Sequence, residues 1–141
     1  MKERVLITVA GTEKTSGETI ETTAAGTCVQ TPAGWRIEYD DELLTEEERG
    51  LPQHNVLFLE RESVRMIRTG GMKSDMRFLP GRKEACRYET PYGALSLSTF
   101  TEDLAVEFSE NEIAARISYS LWMQEECLSE HRVEILVRNP V

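Results

Sequence analysis

Within the segment IRTGGMKSDMRF (Ile67–Phe78), Arg68 combines strong chemistry with an unexpected position. Counted by twos, it shares a strand face with Val64 and Met66, while Ser74, Met76 and Phe78 share a face on the return. A guanidinium carries five N–H donors in a planar fork, and an interior position is tolerated only where they are satisfied. Two roles meet that condition. The fork can bond backbone carbonyls and close one end of the interior, its stem packed on aromatics. It can equally present donors to an entering carboxylate or phosphate.

Motifs for catalysis are absent. His54 and His131 are isolated in sequence and read as surface or edge residues. There is no H-x-x-x-H, no G-x-S-x-G and no P-loop, and Gly70-Gly71 reads as a hairpin turn. The carboxylates of DDELL and TEEE are charge runs of a solvated face. With no nucleophile beside a base, binding is favoured over catalysis. A hydrolase or isomerase using Tyr and Glu around a mouth stays open, since side chains distant in sequence can meet. Cys28, Cys86 and Cys127 form no C-x-x-C. They read as small packing residues in a reducing cytoplasm, with no disulfide, metal site or cofactor implied.

The elements that must position Arg68 are strands. Alternation with frequent turn residues runs through Arg4–Thr12, Thr19–Gln30, Trp35–Asp41, Asn55–Glu60, Ser63–Thr69, Lys73–Leu79, Glu84–Thr90, Ala94–Phe100, Leu104–Ser109, Ala114–Met123 and Leu128–Arg138. Asp41–Gly50 contains T-x-x-E and fits a single helical turn or an acidic loop. IAARISYSLW fits a helical face too, but its β-formers and the alternation of Ile117, Tyr119 and Leu121 favour a strand. So many short strands leave no room for a helical layer. The expected fold is all-β, one domain over residues 1–141, an antiparallel up-and-down meander. Such a chain removes its exposed edges by closing into a barrel of about eight to ten strands.

Register follows from the faces. If Val64/Met66 and Met76/Phe78 both point inward, the hairpin loop holds an odd number of residues, and Gly70-Gly71-Met72 serves. Arg68 then lies opposite Ser74, Met66 opposite Met76, and Val64 opposite Phe78. A second odd loop at Gly81–Lys83 sets Phe78 against Cys86, Met76 against Tyr88 and Ser74 against Thr90. Arg68, Ser74 and Thr90 become a polar level over an apolar interior, with Tyr39 and Tyr119 also inward.

The net charge of −9 disfavours generic binding to nucleic acid or an anionic membrane, and no segment has signal-peptide or transmembrane character. The expected compartment is the cytoplasm. Charge is unevenly spread: Arg61–Arg87 holds eight basic residues against three acidic ones, so it is +5 and the remainder −14.

The run R-x-G-x-x-x-S-x-M-x-F (Arg68, Gly70, Ser74, Met76, Phe78), followed by E-T-P-Y-G with Leu95 and Leu97, resembles the YwiB-like bacterial proteins. The opening strand ending in Gly11-Thr12 and the Trp35–Tyr39 strand fit the same pattern. The resemblance implies a calycin-like, lipocalin-like closed barrel with no established activity, so no catalytic residue is carried over. The chain departs from it at Leu43–Gln53, where acidic LLTEEERGLPQ stands for a shorter, glycine-bearing loop. It also lacks the G-x-W of true lipocalins, because Gly34 and Trp35 are adjacent.

Two functions are expected. In the first, Arg68, Ser74, Thr90, Tyr88, Tyr39 and Tyr119 bind a small anionic or amphipathic molecule at one barrel end. In the alternative, a filled barrel meets an acidic protein, or nucleic acid, through outward Arg61, Arg65, Lys73, Arg77 and Arg87. Trp122, on the outward parity of its strand, hints at a homodimer face.

Overall fold

The alternating segments form ten strands. The computed structural model describes residues 1–42, 52–90 and 92–140, so the choice between a helical turn and an acidic loop falls largely outside the described residues. The strands are β1 (Arg4–Glu13), β2 (Thr19–Gln30), β3 (Gly34–Glu42), β4 (Pro52–Glu60), β5 (Val64–Gly70), β6 (Lys73–Phe78), β7 (Lys83–Thr90), β8 (Gly93–Phe108), β9 (Glu112–Met123) and β10 (Glu126–Arg138). Each pairs antiparallel with its sequence neighbour, and β10 pairs with β1. The result is the closed up-and-down barrel expected, which leaves no open edge.

Two of the expected strands are one. β8 runs for 16 residues through a register shift between Thr101 and Asp103. Leu97, Thr99 and Thr101 are buried before the shift and Val106 after it. A bulge inserts one residue and flips parity. That flip reads in the sequence as a turn between Ala94–Phe100 and Leu104–Ser109.

The β5–β6 hairpin has the expected register: Val64 faces Phe78, Met66 faces Met76 and Arg68 faces Ser74. Gly70 supplies φ 118° at the turn. The β6–β7 register differs from expectation. Ser74 pairs with Tyr88 rather than Thr90, and Asp75 with Arg87. The cause is the turn. Arg82 N donates to Leu79 O at 3.0 Å, and Gly81 has φ 73°. Pro80 and Gly81 thus take the two central positions of a type II turn. The observed pairs are centred on Gly81 rather than on Arg82, the middle of a Gly81–Lys83 loop, which moves every partner by two. The expected pairing of Phe78 with Cys86 does not form. Pro80 instead bridges Thr101, and Thr99 Oγ1 donates to Arg77 O at 3.3 Å.

The two barrel ends differ. At one lie the turns 31–33, 61–63, 79–82 and 109–111 and both terminal segments; Lys2 N donates to Asn139 Oδ1 at 2.8 Å. Here Ile37, Leu59, Val64, Phe78, Ile113 and Ile117 are almost wholly buried, and Met1, Trp35 and Phe108 pack against them. This half is solid. The turns 14–18, 71–72 and 124–125 lie at the other end, towards which the lumen is hollow.

Candidate functional site

One hydrogen-bonded row of the barrel explains why Arg68 can sit inside. Reading across five strands, Tyr39 pairs with Asn55, Asn55 with Arg68, Arg68 with Ser74, and Ser74 with Tyr88. Every member is polar. Directly beneath, Ile37, Leu57, Met66 and Met76 form an apolar row by the same pairings. Arg68 thus tops the packed interior.

Arg68 is held by an amide. Its Nε donates to Asn55 Oδ1 at 3.0 Å, and Asn55 Nδ2 donates to Asp41 Oδ1 at 2.9 Å and to Tyr39 O at 3.4 Å. Asn55 is 2% exposed, so its orientation is fixed by these partners. Among the described residues no carboxylate lies within ion-pair distance of the guanidinium. Nor, among the described residues, does a backbone carbonyl accept from it.

A cavity of about 350 Å³ opens beside it. Leu57, Met66 and Met76 form the apolar floor, Val9, Gly11 and Val133 the far wall, and Glu13, Glu18 and Ile20 the lip. A Cβ built on Gly11 would meet nothing within 4 Å, which marks open space in the lumen. Tyr88 and Tyr119 also line the cavity. Tyr119 lies 4.8 Å from the ring of Phe78 and stacks at 5.1 Å on His131. Ser129 Oγ and His131 Nε2 share a hydrogen bond of 2.6 Å.

Burial shapes the protonation of these groups. It raises the phenol pKa values of Tyr88 and Tyr119, the nearby Arg68 charge opposing the rise in both, so both are neutral donors at physiological pH. Tyr39 is pushed up to about 12 by the same desolvation. For His131, burial disfavours the cation and lowers its pKa, with Glu13 pulling the other way. Among the described residues the hydroxyls of Ser74, Tyr88 and Tyr119 make no hydrogen bond within the protein.

The residues singled out in the sequence are not all in one place. Arg68, Ser74, Tyr88 and Tyr119 line the cavity together. Tyr39 belongs to the row but lies in the core, 4% exposed. Thr90 stands apart: its Oγ1 donates to Gly93 O and accepts from Tyr92 N, which fastens the β7–β8 turn. Asn55, His131, Glu13 and Glu18 were not anticipated. Asn55 was visible on the face of Leu57 and Leu59, as was His131 on that of Val133 and Ile135. His131 is therefore an interior residue, while His54 is on the outside between Asp40 (2.6 Å) and Glu38 (3.2 Å).

On the outer face Arg65, Arg77 and Arg87 surround Asp75. Arg65 grips that carboxylate with two bonds of 2.9 and 2.6 Å, and Arg87 Nε meets Glu89 at 3.0 Å. Lys73 lies beside Glu89, whereas Arg61 is at the solid end, 5.7 Å from the ring of Phe108. Within the basic segment, Arg65 and Arg87 are thus ion-paired, the first with Asp75 and the second with Glu89 just beyond it. Trp122 is half-buried, with Lys83 4.6 Å over its ring and its Nε1 donating to Ser120 Oγ at 2.8 Å. Cys28 and Cys86 are buried, and burial raises both thiol pKa values. Among the described residues no cluster of His, Cys, Asp and Glu is arranged to hold a metal.

Comparison with known proteins agrees with the fold. The crystal structure of the ywiB protein from Bacillus subtilis superposes with a TM-score of 0.77 at 18% identity, covering 98% of this chain and 91% of that one. No curated protein matches the chain. The family described as Domain of unknown function (DUF1934) matches residues 6–135. The chain belongs to that family, the YwiB-like barrels of uncharacterised function.

Proposed function

We propose that this barrel binds one small amphipathic anion in the hollow half of its lumen. The observation that carries the reading is Arg68: its Nε is committed to Asn55, and its terminal nitrogens face no carboxylate among the described residues. A half-buried cation without a counter-ion favours an incoming anion, and a guanidinium fork matches a carboxylate with two parallel bonds. Ser74 and Tyr88 stand on the same row as further donors. The Leu57, Met66 and Met76 floor suits an apolar body. About 350 Å³ lies at the small end of the roughly 300–1,000 Å³ range of ligand pockets, so the occupant is small.

The test is native mass spectrometry and a thermal-shift screen of carboxylates and phosphates, on the wild-type protein and Arg68→Met. Retained mass adducts and a raised melting temperature in the wild type alone support the reading. If no anion stabilises the wild type, the proposal fails.

A further inference from the structure

The cavity has two electrical poles. Among the described residues that line it, Arg68 is the one Lys or Arg, and Glu13 and Glu18 are the carboxylates. Arg68 projects from β5; β1, which carries Glu13, is four strands away round one side of the ten-strand ring and six round the other, and β2, which Glu18 directly precedes, is three and seven. The poles therefore face each other across the lumen. Glu13 is fixed in place, because its two oxygens accept the backbone N–H groups of Thr15 (3.1 Å) and Ser16 (3.0 Å). These bonds lower its pKa and keep it ionised. Lys14, on the same turn, does not line the cavity. His131, paired with Glu13 across β1 and β10, has its cationic form disfavoured by burial.

A plain anion approaching Arg68 must pass two like charges at the lip, and a doubly charged phosphate would meet one guanidinium against two carboxylates. A ligand with a cationic tail meets attraction at both ends. We infer that the occupant is a zwitterion: its carboxylate seats on Arg68, its ammonium sits between Glu13 and Glu18, and a short apolar chain spans the floor between them. This rests on the reading of Arg68 as an anion seat.

Isothermal titration at low ionic strength, where surface charges are least screened, separates the two. One series is γ-aminobutyrate, δ-aminovalerate and ε-aminocaproate; the other is butyrate, valerate and caproate. The expected result is that one amino acid binds at least about tenfold more tightly than the alkanoate of equal length. In Glu13→Gln/Glu18→Gln that advantage should vanish while the alkanoate gains. Glu18→Gln alone, which leaves the Glu13 turn bonds intact, should show part of the loss. Alkanoates that bind as tightly as their amino partners, and are lost in Arg68→Met, overturn the zwitterion and leave the anion seat standing. Silence from both series overturns the zwitterion as well. If other anions then stabilise the protein, the seat survives; if none does, both ideas fall.

Discussion

Arg68 and Asn55 face each other across the β4–β5 ladder, and the 3.0 Å bond between them fixes the guanidinium with a neutral group. The carboxylate of Asp41 stands one link further away, on Asn55 Nδ2. Orientation and neutralisation are thereby separated: the fork is aimed by an amide, and among the described residues no carboxylate lies within ion-pair distance of it. Asn55→Asp combined with Asp41→Asn moves the carboxylate next to Arg68 while avoiding two facing acids. The double variant should fold with a similar melting temperature and lose anion binding, because the seat is then occupied from within. Titration against the anions found in a wild-type screen measures this. Unchanged affinity would show that Arg68 does not hold the anion.

Arg68→Met keeps the stem over the floor and removes the charge. A hydrogen bond to a charged group contributes about 1.5–3 kcal/mol, so anion affinity should fall by about ten- to hundredfold. Without ligand, urea unfolding should show a loss of about 1–3 kcal/mol, since Asn55 Oδ1, which is buried, loses its donor.

Gly11 gives the opposite kind of probe. It lies in β1 with open space beyond it and without a positive φ. Gly11→Leu should leave stability within about 1 kcal/mol, since glycine costs entropy in a strand. Its side chain should fill the lumen and abolish ligand binding, as read by native mass spectrometry. Undiminished binding would place the ligand elsewhere.

The two histidines should respond to pH with opposite signs. The Asp40 bond, then Asp40 and Glu38 charge, raises the pKa of His54 above its usual 6.5. Its contribution is fully present below pH 6.5 and is lost as pH rises through the higher folded value. The wild type should thus lead His54→Gln at acidic pH and converge with it above that value. His131 has a folded pKa below 6.5, so its contribution is present above pH 6.5 and is lost as pH falls through the lower value. The wild type should fall behind His131→Gln as acid is added. Chemical denaturation from pH 5 to 8 reads both effects, which will be modest for the exposed His54 pair.

The β class was legible because inward and outward residues alternate along nearly every strand, and the β5–β6 register because both its faces demand an odd loop. The β6–β7 register was not, since Leu-Pro-Gly-Arg offers two centres one residue apart and parity cannot tell them apart. The same parity argument, applied to Asn55 or His131, would have placed each inside. The lip lay out of reach of such local reasoning. Glu13 and Glu18 oppose Arg68 only because β10 closes on β1, a pairing of distant segments set by the whole ring.

The solid half and the hollow half make different demands on the chain. Near the termini, each side chain is wedged among others, and replacing one disturbs its neighbours. Around the opening, side chains border empty space, so exchanging them alters what fits without loosening the scaffold. A barrel divided in this way can acquire a new guest by changing a single tier of residues, and its melting point need not record that the guest has changed.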